Sequence, residues 1–339
     1  MKLQITIDDI RKRPGMYVGN VDVRGVYTLL FDFVKAIIDS SKNRNIFMEI
    51  YLDIYDTFYI KCDHLTGIKD FLEIKIIKAL SCNYNFSEGK DSFDLVFKPD
   101  KKIFFFDTIE YYRLFGRLKE LAQLNNNIKI FLSNDENKNI IHFQHGMKTM
   151  LMEGIYEFRL PNDRKPLDIQ FENENIEVSV SMIYAYASDV ALSYFNDDRT
   201  QDGGTHVQGL QDGIYDAFRE YIQLANIDLE IVKDHPLFFI KEQLTGQEYV
   251  FNKKLEILLD DVLENLNFVI KVNWQKINQV NNIVFSGSTK RKLVSEKVYT
   301  IVKNGVFESL KAILDLDPSF FYSSRVILKA EVRKILSEK

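Results

Sequence analysis

The chain has 339 residues, of which 46% are hydrophobic and 27% are charged, and its formal net charge is −5. This length predicts two or so domains, and the composition is that of an ordinary globular protein. The negative net charge argues against a protein that coats DNA with its whole surface, although a local basic groove is compatible with it.

The N-terminal sequence, MKLQITIDDI, contains no apolar stretch of the kind that a signal peptide needs. No apolar run in the chain approaches the roughly 20 residues of a membrane span. The two cysteines, Cys62 and Cys82, are not spaced as CxxC, so neither a zinc site nor a disulfide framework is expected. These features predict a cytoplasmic protein without a membrane partner.

Strands and helices alternate in the first half of the predicted structure. Between Val26 and Ile38, apolar side chains recur at three- and four-residue steps, which predicts a helix with one buried face. Strands are predicted at 47–54, 57–62, 93–97, 103–106 and 128–132, and helices at 71–80 and 110–124. Strand pairs interleaved with helices are typical of an α+β sandwich.

The second half begins near Gly154 and is predicted to be a second unit of strands and helices. Strands are expected at 155–160, 176–185, 191–195 and 267–272. Gly203 and Gly204 interrupt the chain, and Thr205 stands three residues before Gln208, which is the spacing of a helix capping box. A second long helix is predicted to follow a loop within 287–314.

Three motifs carry a resemblance to a known family. IRKRPGMYVG at 10–19, DGGTHVQGL at 202–210 and FSGSTKRKLVSEKV at 285–298 resemble, in order, three signatures of the B subunits of DNA gyrase and topoisomerase IV. The resemblance implies an α+β architecture of two domains. A GHKL-type (Bergerat) ATPase-like sandwich without an ATP lid is expected at 1–153, and a ribosomal-S5-like transducer domain with C-terminal helices at 154–339.

The resemblance also identifies the catalytic positions of the first domain. The family's general-base Glu matches Asp32, its magnesium-binding Asn matches Ala36, and a His that assists the base matches Thr28. Asp32 keeps a carboxylate but is one methylene shorter, and such a misplacement can cost on the order of a hundredfold in rate. Ala36 offers no oxygen to a hard metal ion. The alternative interpretation of Asp32 is a solvated carboxylate on a helix surface.

The adenine-binding positions are altered in the same way. The family's Asp-Asp-Gly-Arg-Gly-Ile element matches DHLTGI, so Asp63 and Gly67 correspond to binding residues, while Leu65 replaces a glycine. Asp63 is either a surviving adenine contact or a polar residue that caps the next turn. Phe93 replaces a pocket Thr, and its ring either fills the adenine volume or packs in the core.

The phosphate-binding elements are the most reduced. The segment between Gly67 and Ala79, residues 68–78, contains no glycine and nothing that would cradle a triphosphate. Lys290 stands where the family has a lysine that contacts the γ-phosphate. It is alternatively an ordinary basic residue at the start of a helix.

These positions favour a degenerate gyrase-B-like protein without ATP hydrolysis, metal or cofactor, which acts as a binding partner or scaffold for a topoisomerase or a related ATPase. The first alternative is a divergent ATPase that uses ATP, magnesium, Asp32 and Lys290. The second is a nucleic-acid clamp lined by Arg164, Lys165, Arg199, Lys290, Arg291 and Lys292. Only six residues, MKLQIT, precede the first predicted helix, and they are a short arm for reaching a neighbouring protomer. We therefore expect an oligomeric state that does not depend on nucleotide.

Overall fold

The computed structural model describes residues 5–41, 44–155, 165–185, 189–224, 262–274, 284–285 and 291–316. The chain divides into two compact units between Thr149 and Met150, just ahead of the predicted boundary. Each unit has its own sheet and its own hydrophobic core.

The first unit contains a six-stranded sheet in the order β3-β4-β2-β1-β5-β6. β1 and β5 are parallel, and the other neighbouring strands are antiparallel. The strands are β1 (Ile46–Leu52), β2 (Phe58–Asp63), β3 (Ser81–Glu88), β4 (Ser92–Pro99), β5 (Ile128–Ser133) and β6 (Lys138–Ile141). Buried and exposed residues alternate along β1, β2 and β4, so one face of the sheet is covered and the other is open.

Helices cover one face of this sheet. They are α1 (Ile7–Lys12), α2 (Gly15–Val18), α3 (Val23–Ser41), α4 (Leu72–Leu80) and α5 (Tyr111–Leu124), and a further helix, α6 (Gly146–Glu153), spans the point where the chain divides into its two units. The predicted apolar stripe of α3 is buried throughout, from Val26 to Ile38. Asp39, on the opposite side of α3, is exposed. The period of the apolar residues therefore predicted both the helix and its buried face.

The predicted strand at 103–106 is wrong. The backbone nitrogens of Ile103 and Phe104 donate to the carbonyl of Asp100, which forms a turn directly after β4. Only Phe105 pairs, in an isolated bridge with Asp22. The apolar run is not uniformly buried: the ring of Phe104 is fully buried, whereas that of Phe105 is 73% exposed.

The second unit contains a five-stranded sheet in the order β10-β9-β11-β8-β7 and a small β12–β13 pair. These strands are β7 (Leu167–Asn173), β8 (Ile176–Tyr184), β9 (Ala191–Phe195), β10 (Asp198–Arg199), β11 (Leu266–Trp274), β12 (Val284–Phe285) and β13 (Leu293–Val294). β7 was not predicted, and the strand predicted at 155–160 lies, apart from Ile155, outside the described residues.

Two long helices, α7 (Thr205–Leu224) and α8 (Glu296–Leu316), pack against each other in this unit. Their backbones approach closely at Gly209, where an added Cβ would lie 2.7 Å from the carbonyl oxygen of Tyr299. A hydrogen bond of 2.8 Å from the Tyr299 hydroxyl to Asp212 joins the same helices. Within the part of the chain that the structure describes, no helix has the length and apolar character required to cross a membrane.

Candidate functional site

The catalytic positions implied by the resemblance lie on the exposed side of α3. Asp32 is half exposed, and its carboxylate forms an ion pair of 2.7 Å with the ammonium of Lys35 one turn away. The hydroxyl of Thr28 donates to the backbone carbonyl of Arg24 in the preceding turn. Ala36 contributes a methyl group and no metal ligand. In the described ranges, no three His, Cys, Asp or Glu side chains come together as a metal site.

The end of β2 places Cys62 and Asp63 on opposite faces of the sheet. Cys62 is fully buried and pairs across the ladder with Phe93, on the face that the helices cover. Asp63 follows it, and the alternation of the strand puts its carboxylate on the open face with Lys61. Burial raises the pKa of the Cys62 thiol to about 12, with a smaller effect from the Asp63 charge, so the thiol stays protonated.

Glu88 is a site residue that the sequence did not indicate. Its carboxylate accepts hydrogen bonds from the backbone nitrogens of Gly67, at 2.5 Å, and Ile68, at 3.1 Å. Gly67 has a φ of +81°, a left-handed conformation that glycine adopts without strain. The contact joins the loop after β2 to the end of β3, 21 positions apart in the sequence, and no local sequence pattern encodes it. The amides at this turn are thus engaged by an internal anion.

Phe93 and Leu65 both belong to the core of the first unit. Phe93 is fully buried and packs edge-to-face on Phe33 of α3, with ring centroids 5.9 Å apart. It also contacts the ring of Phe86 on β3 at 6.1 Å. Leu65 is 2% exposed in the same core. The side chains that replace the family's Thr and Gly therefore fill space between the sheet and its helices.

The segment at the position of the lid forms α4, which packs into the core through Ile74, Ile76 and Ile77. The opening motif holds the end of this helix. The guanidinium of Arg11 donates to the carbonyl of Ala79 and to the carboxylate of Asp100, each at 2.7 Å. Burial is the largest single influence on the Asp100 pKa and raises it, but the hydrogen bonds from Arg11 and from the Lys102 backbone, with the charges of these two residues, together keep the pKa below its usual value. The opening motif therefore uses Arg11 to hold two segments of the first unit together.

The Gly-Gly-Thr-His motif connects β10, β13 and the two long helices. Gly204 has a φ of +136°, and a Cβ there would lie 2.6 Å from the backbone nitrogen of Leu293. The Thr205 hydroxyl accepts from the backbone nitrogen of Ser295, at 3.0 Å, and lies 3.5 Å from the carbonyl of Leu293. Thr205 is the first residue of α7 rather than the residue before it, so its side chain joins α7 to the start of α8.

His206 is completely buried behind this turn. Its Nε2 lies 3.0 Å from the hydroxyl of Thr200, and among the described residues its Nδ1 has no hydrogen-bond partner. Burial lowers the pKa of His206 to about 4, so the ring is neutral at physiological pH.

Of the six basic positions considered for a nucleic-acid clamp, four lie among the described residues. Lys290 and Arg164 lie outside the described residues. The guanidinium of Arg291 forms two hydrogen bonds of 3.0 Å with the carboxylate of Asp202. The other members of the set are exposed, namely Lys165, Arg199 and Lys292.

The sequence and the fold are similar to those of known type II topoisomerases. A sequence model described as DNA gyrase B matches residues 137–336. The chain is 26% identical to the DNA gyrase B protein of Archaeoglobus fulgidus over 92% of this chain and 55% of that protein. It is 30% identical to the B-type subunit of the type 2 topoisomerase of Aquifex aeolicus over 71% of this chain and 26% of that protein. The chain thus spans about half the length of the first of these relatives.

Solved structures give the same result for the fold. The 43K ATPase domain of Thermus thermophilus gyrase B, in complex with an aminocoumarin, matches with a TM-score of 0.76 at 19% identity over 98% of this chain and 96% of that one. The topoisomerase IV ATP-binding domain of Francisella tularensis matches with a TM-score of 0.68 at 22% identity over 98% and 97% of the two chains. The fold is therefore the GHKL type found in gyrase B, and the chain belongs to the DNA gyrase B family.

Proposed function

We propose that this chain is a degenerate member of its family that does not hydrolyse ATP and acts as a binding or scaffold protein. In this proposal the first unit is a GHKL domain without a lid and the second a transducer-like domain. The observation that carries the proposal is the ring of Phe93, fully buried against Phe33 at the position of a nucleotide-pocket Thr. Interiors are close-packed, so a ring in that space leaves little room for a purine.

Two further contacts support the proposal. The amides of Gly67 and Ile68 already hold the Glu88 carboxylate, which a phosphate or sugar oxygen would have to displace. Ala36 cannot supply the oxygen that magnesium requires, and the chemistry of this residue does not fit a metal ligand. In this proposal the chain uses no cofactor.

The alternative function is a divergent B-type component that binds and hydrolyses ATP. It is favoured by the carboxylate of Asp32, whose side chain is 42% exposed and thus accessible to a water molecule. The likeness to ATPase-domain structures fits this alternative equally well. The γ-phosphate lysine position, Lys290, would complete such a site.

Magnesium-dependent phosphate release and calorimetry with ATP and ADP distinguish the two functions. We expect no turnover above background and no measurable nucleotide binding, and Asp32→Asn should behave as the parent protein does. Asp94→Asn, which removes an exposed carboxylate from the open face of the sheet, is the matched control. Turnover that disappears in Asp32→Asn and persists in Asp94→Asn would establish the ATPase instead.

The partner in this proposal is another protein, either a topoisomerase or a related ATPase. Binding of nucleotide cannot shift an assembly equilibrium unless it distinguishes the two states. Sedimentation velocity should therefore give the same oligomeric state with and without a non-hydrolysable ATP analogue. A nucleic-acid clamp is less supported, because Asp202 already neutralises Arg291.

A further inference from the structure

β3, at one edge of the six-stranded sheet, is not protected against pairing. Of the residues that the structure describes, none pairs through its backbone with the outer side of Ser81–Glu88, and the contacts of Ser81 and Glu88 with Ile77, Gly67 and Ile68 are made by side chains. Exposed edges are usually blunted by shortness, lysine, proline or bulges. β3 has eight residues, SCNYNFSE, without lysine or proline, and its register shift lies at the start of the strand, between Ser81 and Asn83. The opposite edge, β6, has four residues and begins with Lys138.

A groove of about 370 Å³ lies between this edge strand and α4. Its apolar lining is formed by Ile7 at the start of α1 and by Phe71, Ile74, Tyr84 and Phe86. Tyr84 pairs with Phe97 and Phe86 pairs with Leu95, both of which are buried, so Tyr84 and Phe86 lie on the covered face of the sheet. A strand added beside β3 would direct every second side chain toward this groove.

Three lysines surround the groove, namely Lys69, Lys75 and Lys78, together with a single carboxylate, Asp70. None of the three ammonium groups forms an ion pair with a described carboxylate, and that of Lys78 lies 5.8 Å from the centroid of the Tyr84 ring. The rim is therefore locally positive in a chain of net charge −5. Charge complementarity favours an acidic occupant.

We propose that β3 and this groove bind an extended acidic segment of a partner protein by strand addition. The peptide backbone pairs with the free edge of β3, its large apolar side chains enter the groove, and its carboxylates meet the lysines. This proposal specifies the chemistry of the protein partner, and it therefore rests on the binding function proposed above.

Two other occupants fit the surface less well. A sugar-phosphate backbone cannot continue the hydrogen-bond ladder of a strand, so the free edge favours peptide over nucleic acid. A second copy of this chain, paired through its own β3, would bring the same lysines to the interface, where like charges repel.

The test uses the full chain and a fluorescein-labelled peptide of alternating Asp and large apolar residues, matched in length to β3. Fluorescence anisotropy should show binding that weakens as salt is added, because screening reduces contacts between exposed charges. A peptide with Lys in place of Asp should not bind. A peptide with Pro at alternate positions should bind several-fold more weakly, because proline removes ladder donors.

Paired variants locate the site. Lys75→Gln with Lys78→Gln should weaken peptide binding about tenfold, the scale of two lost surface ion pairs. Lys129→Gln with Lys138→Gln, near the opposite edge, changes the charge equally and should leave binding within about twofold. Hydrogen exchange should show new protection of the β3 amides when peptide is added.

Several results would overturn the proposal. These are equal weakening by both pairs of variants, peptide binding without protection of β3, and a concentration-dependent dimer that protects β3 without peptide. Binding of an oligothymidylate that depends on Lys75 and Lys78 while the acidic peptide fails to bind would assign the groove to nucleic acid. ATP turnover together with normal peptide binding would refute only the loss of hydrolysis, whereas absent turnover with no peptide binding would refute only the peptide site.

Discussion

His206 makes the stability of the second unit dependent on pH. The Thr200 hydroxyl lies 3.0 Å from the carbonyl of Ser193 and 3.0 Å from Nε2 of His206, which is the ring's one hydrogen-bond contact among the described residues. The protonated ring carries a proton on both nitrogens, and Nδ1 has no partner among the described residues. A buried cation with an unsatisfied donor is costly, and this is the physical reason for the low pKa.

The magnitude follows from the pKa of about 4 in the folded protein and the ordinary value of 6.5 in the unfolded chain. The unfolded chain binds the proton first, so the contribution to stability is complete above about pH 6.5 and declines as the pH falls toward 4. Between about pH 7.5 and pH 5, the free energy of unfolding should fall by about 2 kcal/mol because of this residue. Urea denaturation at a series of pH values, followed by circular dichroism, measures the decline.

Two histidine variants make the test specific. His206→Gln cannot be protonated and should flatten the decline, whatever it costs in stability at neutral pH. His145→Gln removes a solvent-exposed histidine and should retain the parent profile. If His206→Gln and the parent lose stability in parallel as the pH falls, the buried ring is not the group that titrates and the reasoning fails.

Two further predictions concern packing in the second unit. Lys271 and Asp197 form a buried ion pair of 2.7 Å, so Lys271→Met should cost about 3–5 kcal/mol of unfolding free energy. Adding Asp197→Asn should restore part of this loss, and additive losses would contradict the pairing. Gly204→Ala should cost more than about 3 kcal/mol, since its Cβ would overlap the backbone of Leu293 in addition to straining φ. Gly203 has a φ of +64°, but a Cβ there would make no close contact. Gly203→Ala should therefore lower the free energy of unfolding by only about 1–2 kcal/mol in the same denaturation assay. Equal costs for the two alanines would refute the packing argument.

Much of the fold could be predicted because its signals are local. The apolar period of α3 specifies its buried face, and the alternation of β2 specifies its two faces. β3 escaped prediction because an edge strand with Asn and Ser at outward positions has a weak apolar alternation. Residues 103–106 were wrongly predicted as a strand because they are all apolar, although they pair with the rest of the protein only through one isolated bridge.

The site was less predictable, because its decisive contacts join distant parts of the chain. Motif matching aligned Asp63 with an adenine-binding carboxylate, yet the strand alternation directs Cys62, not Asp63, to the helix-covered face. The hydrogen bond from the Gly67 amide to Glu88 depends on how the loop after β2 meets the end of β3, which no spacing in the sequence encodes. The sequence predicted that the Phe93 ring would fill the pocket or pack in the core, but it did not identify Phe33 as the ring that Phe93 contacts.

The residues that carry the family signature in the second unit have structural roles in packing. Their presence therefore indicates family membership and not catalytic activity. Gly204 is required by the backbone of Leu293, and Thr205 joins α7 to Ser295 at the start of α8. His206 has a pKa of about 4, too low for it to exchange protons efficiently at neutral pH. Each of these contacts stabilises the fold whether or not a nucleotide binds. The motif is therefore explained by packing alone and gives no information on catalysis. Catalysis is tested at Asp32, because its half-exposed carboxylate can be replaced without disturbing the core.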